Sequence, residues 1–170
     1  MNMKMNDKIE KVLWSIAFPG LGQLLNGHII KGIFFMILEL IVNHCSNLNS
    51  IIIYSFVGNI QEAINNSNYQ WLMFYPSLYL YVMWDAYKYA KGDHSPMDSL
   101  PYVFAAYLGT VGIVYSASFN INGIFFGPVW LTLIFMVIGI IIGCSIQKQI
   151  NKRSGLNSEK NRNISILYIL

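Results

Sequence analysis

The feature that most constrains this chain is a run without charge, "GIFFGPVWLTLIFMVIGIIIGCSI", at residues 123–146. It exceeds the roughly 20 apolar residues that carry a helix across about 30 Å of hydrocarbon. A second uncharged run, "PYVFAAYLGTVGIVYSASF" (101–119), precedes it, and the polar "NIN" between them predicts an antiparallel helical hairpin. Upstream lie "WLMFYPSLYLYVMWDAYKYA" (71–90), strongly aromatic until Asp85, and "KGIFFMILELIVNHC" (31–45), which carries Glu39. Trp71 and Trp84 bracket the aromatic run at the depth where such rings meet headgroups.

Composition points the same way. Charged residues make up 11% of the 170-residue chain and apolar ones 55%. A soluble domain carries about 25% charged residues, so lipid must cover much of this surface. The net charge of +3 is small and its basic residues flank the apolar runs, a membrane pattern rather than a nucleic-acid-binding one.

Lysine and arginine placement orients the spans. Lys4, Lys8 and Lys11 precede the first apolar run, Lys88 and Lys91 follow the aromatic one, and Lys148, Lys152, Arg153, Lys160 and Arg162 follow the last. Residues 32–87 and 92–147 hold neither Lys nor Arg. With every basic cluster in the cytoplasm, both termini lie inside, and 46–70 and 120–122 face outward. The expected fold is an all-α, multi-pass protein of the cell membrane. It has about four transmembrane helices, plus a short N-terminal re-entrant or interfacial helix within 12–30. Its single domain comprises a first part (11–91), a C-terminal hairpin (101–146) and a basic cytoplasmic tail (147–170) that ends in the apolar "ISILYIL". In the outward segment, Ile52, Phe56, Ile60 and Ile64 recur at helical spacing. They predict an amphipathic surface helix or an extension of the preceding span.

The break in the first apolar segment, "KVLWSIAFPGLGQLLNGHIIKG", carries Pro19, Gly20, Gly22, Gln23, Asn26 and Gly27. Pro19 removes a backbone donor, while Gly20 and Gly22 permit tight turning and close backbone approach. Interrupted helix at membrane depth persists where it is packed in protein or lines a polar cavity. Gln23, Asn26 and His28 are therefore expected to satisfy the freed backbone groups. The run is not a phosphate loop, because it lacks a GK[ST] ending and a preceding strand pattern. No small-x-small cleavage site follows it, which argues against a cleaved signal.

Two further sets of residues stand out. Ala105, Gly109, Gly112 and Ser116 share one helical face, and Gly139 and Gly143 form a GxxxG on the next run. Such faces let membrane helices approach closely, within the hairpin or against another subunit. Glu39 and Asp85 are acids inside apolar runs, where each costs roughly 2.5–3.5 kcal/mol on insertion scales and calls for a partner. For Asp85 the helical neighbours are Tyr81 and Lys88, the latter an ion-pair partner at the interface. For Glu39 a packing role and ion translocation stand side by side. His44 and Cys45 are separated by topology from Met3 and Met5, and Cys45 from Cys144, which disfavours a metal site or an internal disulfide. The loop residues Asp93, His94 and Asp98 read as a solvated turn. No cofactor, metal site or catalytic motif is expected.

"FPGLGQLLNGHIIKG" followed by "YPSLYLYVMWDAYKYA" resembles small bacterial membrane proteins related to the two-transmembrane-helix domain family. The shared marks are a Gly-rich break, a small loop ending in Gly, and a later helix closing on an aromatic-Asp pair, here Trp84-Asp85. The resemblance covers about residues 11–91. Leu25-Asn26 stands where an aromatic residue is common, and the Asp-Arg pair of some relatives is missing. The resemblance implies a membrane fold without enzyme activity. The resulting expectation is a scaffold, assembly or interaction subunit. It would contact the lipid bilayer and a membrane-protein partner or a second copy of itself, with no nucleic acid and no small-molecule substrate. The alternative is a small transporter or channel component using Glu39, Asp85 and the break.

Overall fold

The structure, a computed structural model, describes residues 3–92, 95 and 97–167, with side chains described for 6–92, 95 and 97–153. Asp93, His94, the side chains of Met3 and Met5 and those of the apolar end at 164–170 lie outside the described residues. The chain is almost entirely helical: α1 Met3–Ala17, α2 Leu21–Leu25, α3 Ile29–Ser46, α4 Leu48–Phe56, α5 Ile60–Asn65, α6 Tyr69–Leu72, α7 Phe74–Tyr89, α8 Leu100–Tyr115 and α9 Gly127–Leu167. The two-residue strands β1 Asn120–Ile121 and β2 Ile124–Phe125 join α8 to α9.

Among the described residues two helices are long and apolar enough to cross a membrane, α3 with 18 residues and the 27-residue Gly127–Arg153 part of α9. This is fewer than the four spans expected from sequence. The 71–90 run is divided at Met73 into α6 and α7. Helices α7 and α8 each have 16 residues, which at ~1.5 Å per residue cover about 24 Å, short of a ~30 Å hydrocarbon core.

Local chemistry sets the boundaries. Asn47, at φ 66°, ends α3 in the left-handed conformation, and its N–H returns to the carbonyls of Asn43 and His44. Pro76 lies in the first turn of α7 and Pro101 in that of α8, positions where the missing N–H would be unpaired in any case. The outward segment is not one helix. Gly58, at φ 84°, separates α4 from α5, so the Ile52/Phe56/Ile60/Ile64 stripe never forms a continuous face. Leu48, Ile51 and Ser55 turn inward instead, and Ile52 and Phe56 are exposed. Leu48, Ile51, Ala63, Leu72 and Ile113 form the core that fastens α4–α6 onto α8.

The hairpin is held by the small residues. A Cβ added at Gly139 would lie 2.5 Å from the Phe104 carbonyl oxygen and 2.6 Å from the Ala105 Cα. One at Gly143 would lie 2.5 Å from the Pro101 Cα, and one at Gly112 would lie 3.0 Å from the Thr132 Cα. Gly109 abuts Met136, and Ser116 is buried with its hydroxyl on the Ile113 carbonyl at 2.8 Å. Gly112, Gly139 and Gly143 are thus spent inside the α8–α9 hairpin, while Gly109 also abuts Pro76 of α7 and Ser116 faces Tyr69 of α6, so the 105/109/112/116 face is buried within the chain. The connecting ribbon pairs Asn120 with Phe125 and Ile121 with Ile124. Asn122 and Gly123 turn it with φ of 52° and 83°, the left-handed pair of a type I′ turn.

Candidate functional site: a polar knot between the break and α7

Helix α1 runs antiparallel to α7. At one end the Lys91 N–H donates to Asp7 Oδ2 at 2.9 Å, and the Lys8 ammonium sits 4.6 Å from the Tyr87 ring centroid. Further in, the Tyr79 hydroxyl donates to the Ile16 carbonyl. The chain then breaks at Pro19 and Gly20, both buried, with Gly20 at φ 105°. Its Cα is so close to α3 that a Cβ there would lie 2.5 Å from the Gly32 carbonyl oxygen. This approach and this φ together demand glycine.

Beyond the break, α2 carries the chain back along α7. Gln23, fully buried, donates both amide hydrogens, to the Val82 carbonyl at 2.8 Å and to Asp85 Oδ2 at 3.1 Å. Asn26 donates to the Ala86 carbonyl at 2.8 Å. That carbonyl belongs to the last turn of α7, where no intrahelical donor remains. Lys31 closes the knot with an ion pair of 2.9 Å to Asp85 Oδ1 and lies 4.4 Å from the Tyr89 ring centroid. His28 meets the same ring edge-on at 4.9 Å.

Two expectations are corrected here. Gln23 and Asn26 do not satisfy the freed backbone of the break. That backbone closes on itself, through Leu21 N–H to the Phe18 carbonyl at 3.1 Å and Leu24 N–H to the Gly20 carbonyl at 3.1 Å, and the two side chains serve α7. The ion-pair partner of Asp85 is Lys31, 54 residues away, while Lys88 lies 4.8 Å from the Trp84 ring centroid. A helical step finds local partners only, so sequence reasoning passed over Lys31. A buried acid in α7 and a lysine just past a glycine break were the available signal. Gly27 lies outside the knot, with open space around its Cα.

Comparison of the chain with protein-family models, with curated proteins and with solved structures finds no match. The functional reading therefore rests on geometry.

Glu39 is placed apart from the knot, two turns along α3. It is buried, with Asn43 Nδ2 3.5 Å from Oε1, while among the described residues no side chain lies within hydrogen-bond distance of Oε2. It faces Tyr75 and Tyr79 of α7. Ser15 Oγ and Gln23 Oε1 are also buried without hydrogen-bond partners among the described residues. Outside the apolar helices, the Lys91 N–H holds the Asp7 carboxyl below its ordinary range, with Lys11 at 3.2 Å adding to the effect. Among the described residues no group of three or more His, Cys, Asp or Glu side chains converges, and Cys45 and Cys144 are both free thiols.

Proposed function

We propose that this chain is a multi-pass integral membrane protein that works as a scaffold, assembly or interaction subunit and carries no catalytic site. The observation that carries this reading is the knot. Gln23, Asn26, Lys31 and Asp85 direct their polar groups at one another and at α7 carbonyls, so this buried polar chemistry serves architecture.

In this reading α3, α6–α7, α8 and α9 cross the bilayer and both termini lie in the cytoplasm. Helices α7 and α8 are short, and tilt, local thinning and snorkelling side chains accommodate such mismatch. Helices α1 and α2 form a re-entrant pair, because the chain meets α7 at Lys91, travels to Tyr79 and returns to Ala86. The resemblance to the two-transmembrane-helix family rests on the two segments that this knot joins, and it is part of the same proposal.

With the α8–α9 stripes closed, the partner surface falls on α3, where Ile30, Ile33, Phe34, Ile37 and Ile41 are exposed. A photoreactive residue at Phe34 or Ile37 in living cells should give one discrete protein adduct, either a partner or a second copy. Adducts to lipid alone would overturn the scaffold reading. In a Cys45→Ser, Cys144→Ser background, cysteine at Asn122 should label from outside the cell and cysteine at Lys31 only after permeabilisation. External labelling at Lys31 would overturn the topology.

The buried Glu39 carboxylate, beside Asn43, Tyr75 and Tyr79, supports a second reading, a small transporter or channel component. Discontinuous helices mark ion sites in transporters. Flux through liposomes that Glu39→Gln abolishes would establish it in place of the scaffold.

A further inference from the structure

A groove of about 580 Å³ runs between α7 and α8, walled by Tyr81 and Trp84 on one side and by Tyr102, Val103, Ala106 and Tyr107 on the other. Next to its Ser99 end lies a second recess of about 340 Å³, bounded by Lys88, Ser95 and Ser99. Trp84 and Ser99 line both, so the two adjoin. The first part is apolar and aromatic, and the second adds Lys88, Ser95, Asp98 and Ser99 to an apolar lining.

We propose that this groove holds one phospholipid, its phosphate beside Lys88 and one acyl chain along Val103, Ala106 and Thr110. The proposal rests on the membrane reading above. Its length carries it: from Ser99 to Thr110 the groove follows α8 for about 16 Å, the hydrocarbon depth of one leaflet, half of a ~30 Å core. Its charge carries it too. Among the described residues Lys88 has no carboxylate partner, and its ammonium lies over Trp84 at 4.8 Å, at the groove's own rim. Asp98, the carboxylate bordering the recess, is engaged by the Ser95 N–H at 2.8 Å, Gln147 Nε2 at 2.7 Å and the Tyr87 hydroxyl at 3.4 Å. At least three donors thus meet its charge, and Lys88, on the recess wall, is the cation placed to meet a phosphate. An aromatic wall beside a lysine at the end of an apolar run is the chemistry of a headgroup boundary.

The test uses the full chain in phosphatidylcholine nanodiscs doped with phosphatidylglycerol bearing a photoreactive acyl chain, with adducts mapped by peptide mass spectrometry. Adducts should concentrate at Val103, Ala106 and Tyr81. Unlabelled phosphatidylglycerol should compete better than phosphatidylcholine in the unaltered protein, a readout independent of any variant. Ala106→Phe should empty the groove. Lys88→Gln should weaken labelling about fivefold, the equivalent of the ~1 kcal/mol that one surface cation contributes towards anionic lipid. Even labelling along α9, chain-to-chain adducts in the groove, or labelling unchanged by Ala106→Phe would overturn the proposal and leave the membrane reading standing. Release of the protein from membranes by alkaline carbonate would overturn both.

Discussion

The two halves of this molecule join helices by opposite means. In the first half the break and α7 are connected by directed polar bonds from Gln23, Asn26 and Lys31. In the second half, α8 and α9 meet through backbone approach over glycine, with Gly139 and Gly143 against the main chain of Phe104–Ala105 and Leu100–Pro101. The difference follows from what each half must hold. A broken, re-entering segment has few side chains in any one turn and needs strong point contacts to fix it. Two uninterrupted helices have a long seam, and dispersion summed along it suffices.

Substitutions that fill the seam should therefore cost most. Gly139→Leu places a side chain into the Phe104 carbonyl and the Ala105 backbone, which cannot rotate away. It should destabilise by about 3 kcal/mol or more, seen as loss of the monodisperse species in detergent. A normal melting curve would show that the seam is looser than described. Asp85→Leu should cost less, about 2 kcal/mol. It removes an acceptor from buried Gln23, but Lys31 is 36% exposed and can turn towards water. Adding Lys31→Met should restore part of that loss, and no recovery would separate Lys31 from the knot.

The knot itself can be sharpened by a double-mutant cycle between Gln23→Leu and Asp85→Asn. Side-chain hydrogen bonds between membrane helices couple by ~0.6 kcal/mol, and a coupling of this size in chemical-denaturation midpoints is expected. Strict additivity would assign the value of Gln23 to the Val82 carbonyl alone. The smallest effect should come from Asp7. Its folded pKa is lowered, so the Asp7–Lys91 link is fully present above the ordinary value of 3.8 and is lost as pH falls through the lowered folded value. Hydrogen exchange at the Lys91 amide should accelerate over that acidic window. Asp7→Asn should flatten the response.

The same contrast explains what the sequence disclosed. The faces at Ala105, Gly109, Gly112 and Ser116 and at Gly139 and Gly143 were legible because a packing seam repeats at the helical period. Most of that seam lies within the hairpin, with Gly109 also against Pro76 of α7 and Ser116 facing Tyr69 of α6, a choice that periodicity leaves open. Gln23 and Asp85 were each conspicuous, but their contact spans 62 residues and no local pattern encodes it. The Ile52–Ile64 stripe misled for a third reason. Helical spacing assumes an unbroken helix, and Gly58 breaks it. Of the four spans expected, two are long and apolar enough among the described residues; the aromatic run is divided at Met73 and α7 and α8 are short, because hydropathy measures apolar content and not where a helix begins.

The Asn122-Gly123 turn has a consequence for how the hairpin is assembled. With two paired residues on each side, it fixes the point from which α9 starts against the end of α8, and with it the rotational phase of the seam. Each residue advances a helix by about 100°. One residue inserted between Phe125 and Gly127 would therefore bring Ile138 into the place of Gly139. The glycines supply closeness, and six residues of ribbon decide which of them come close.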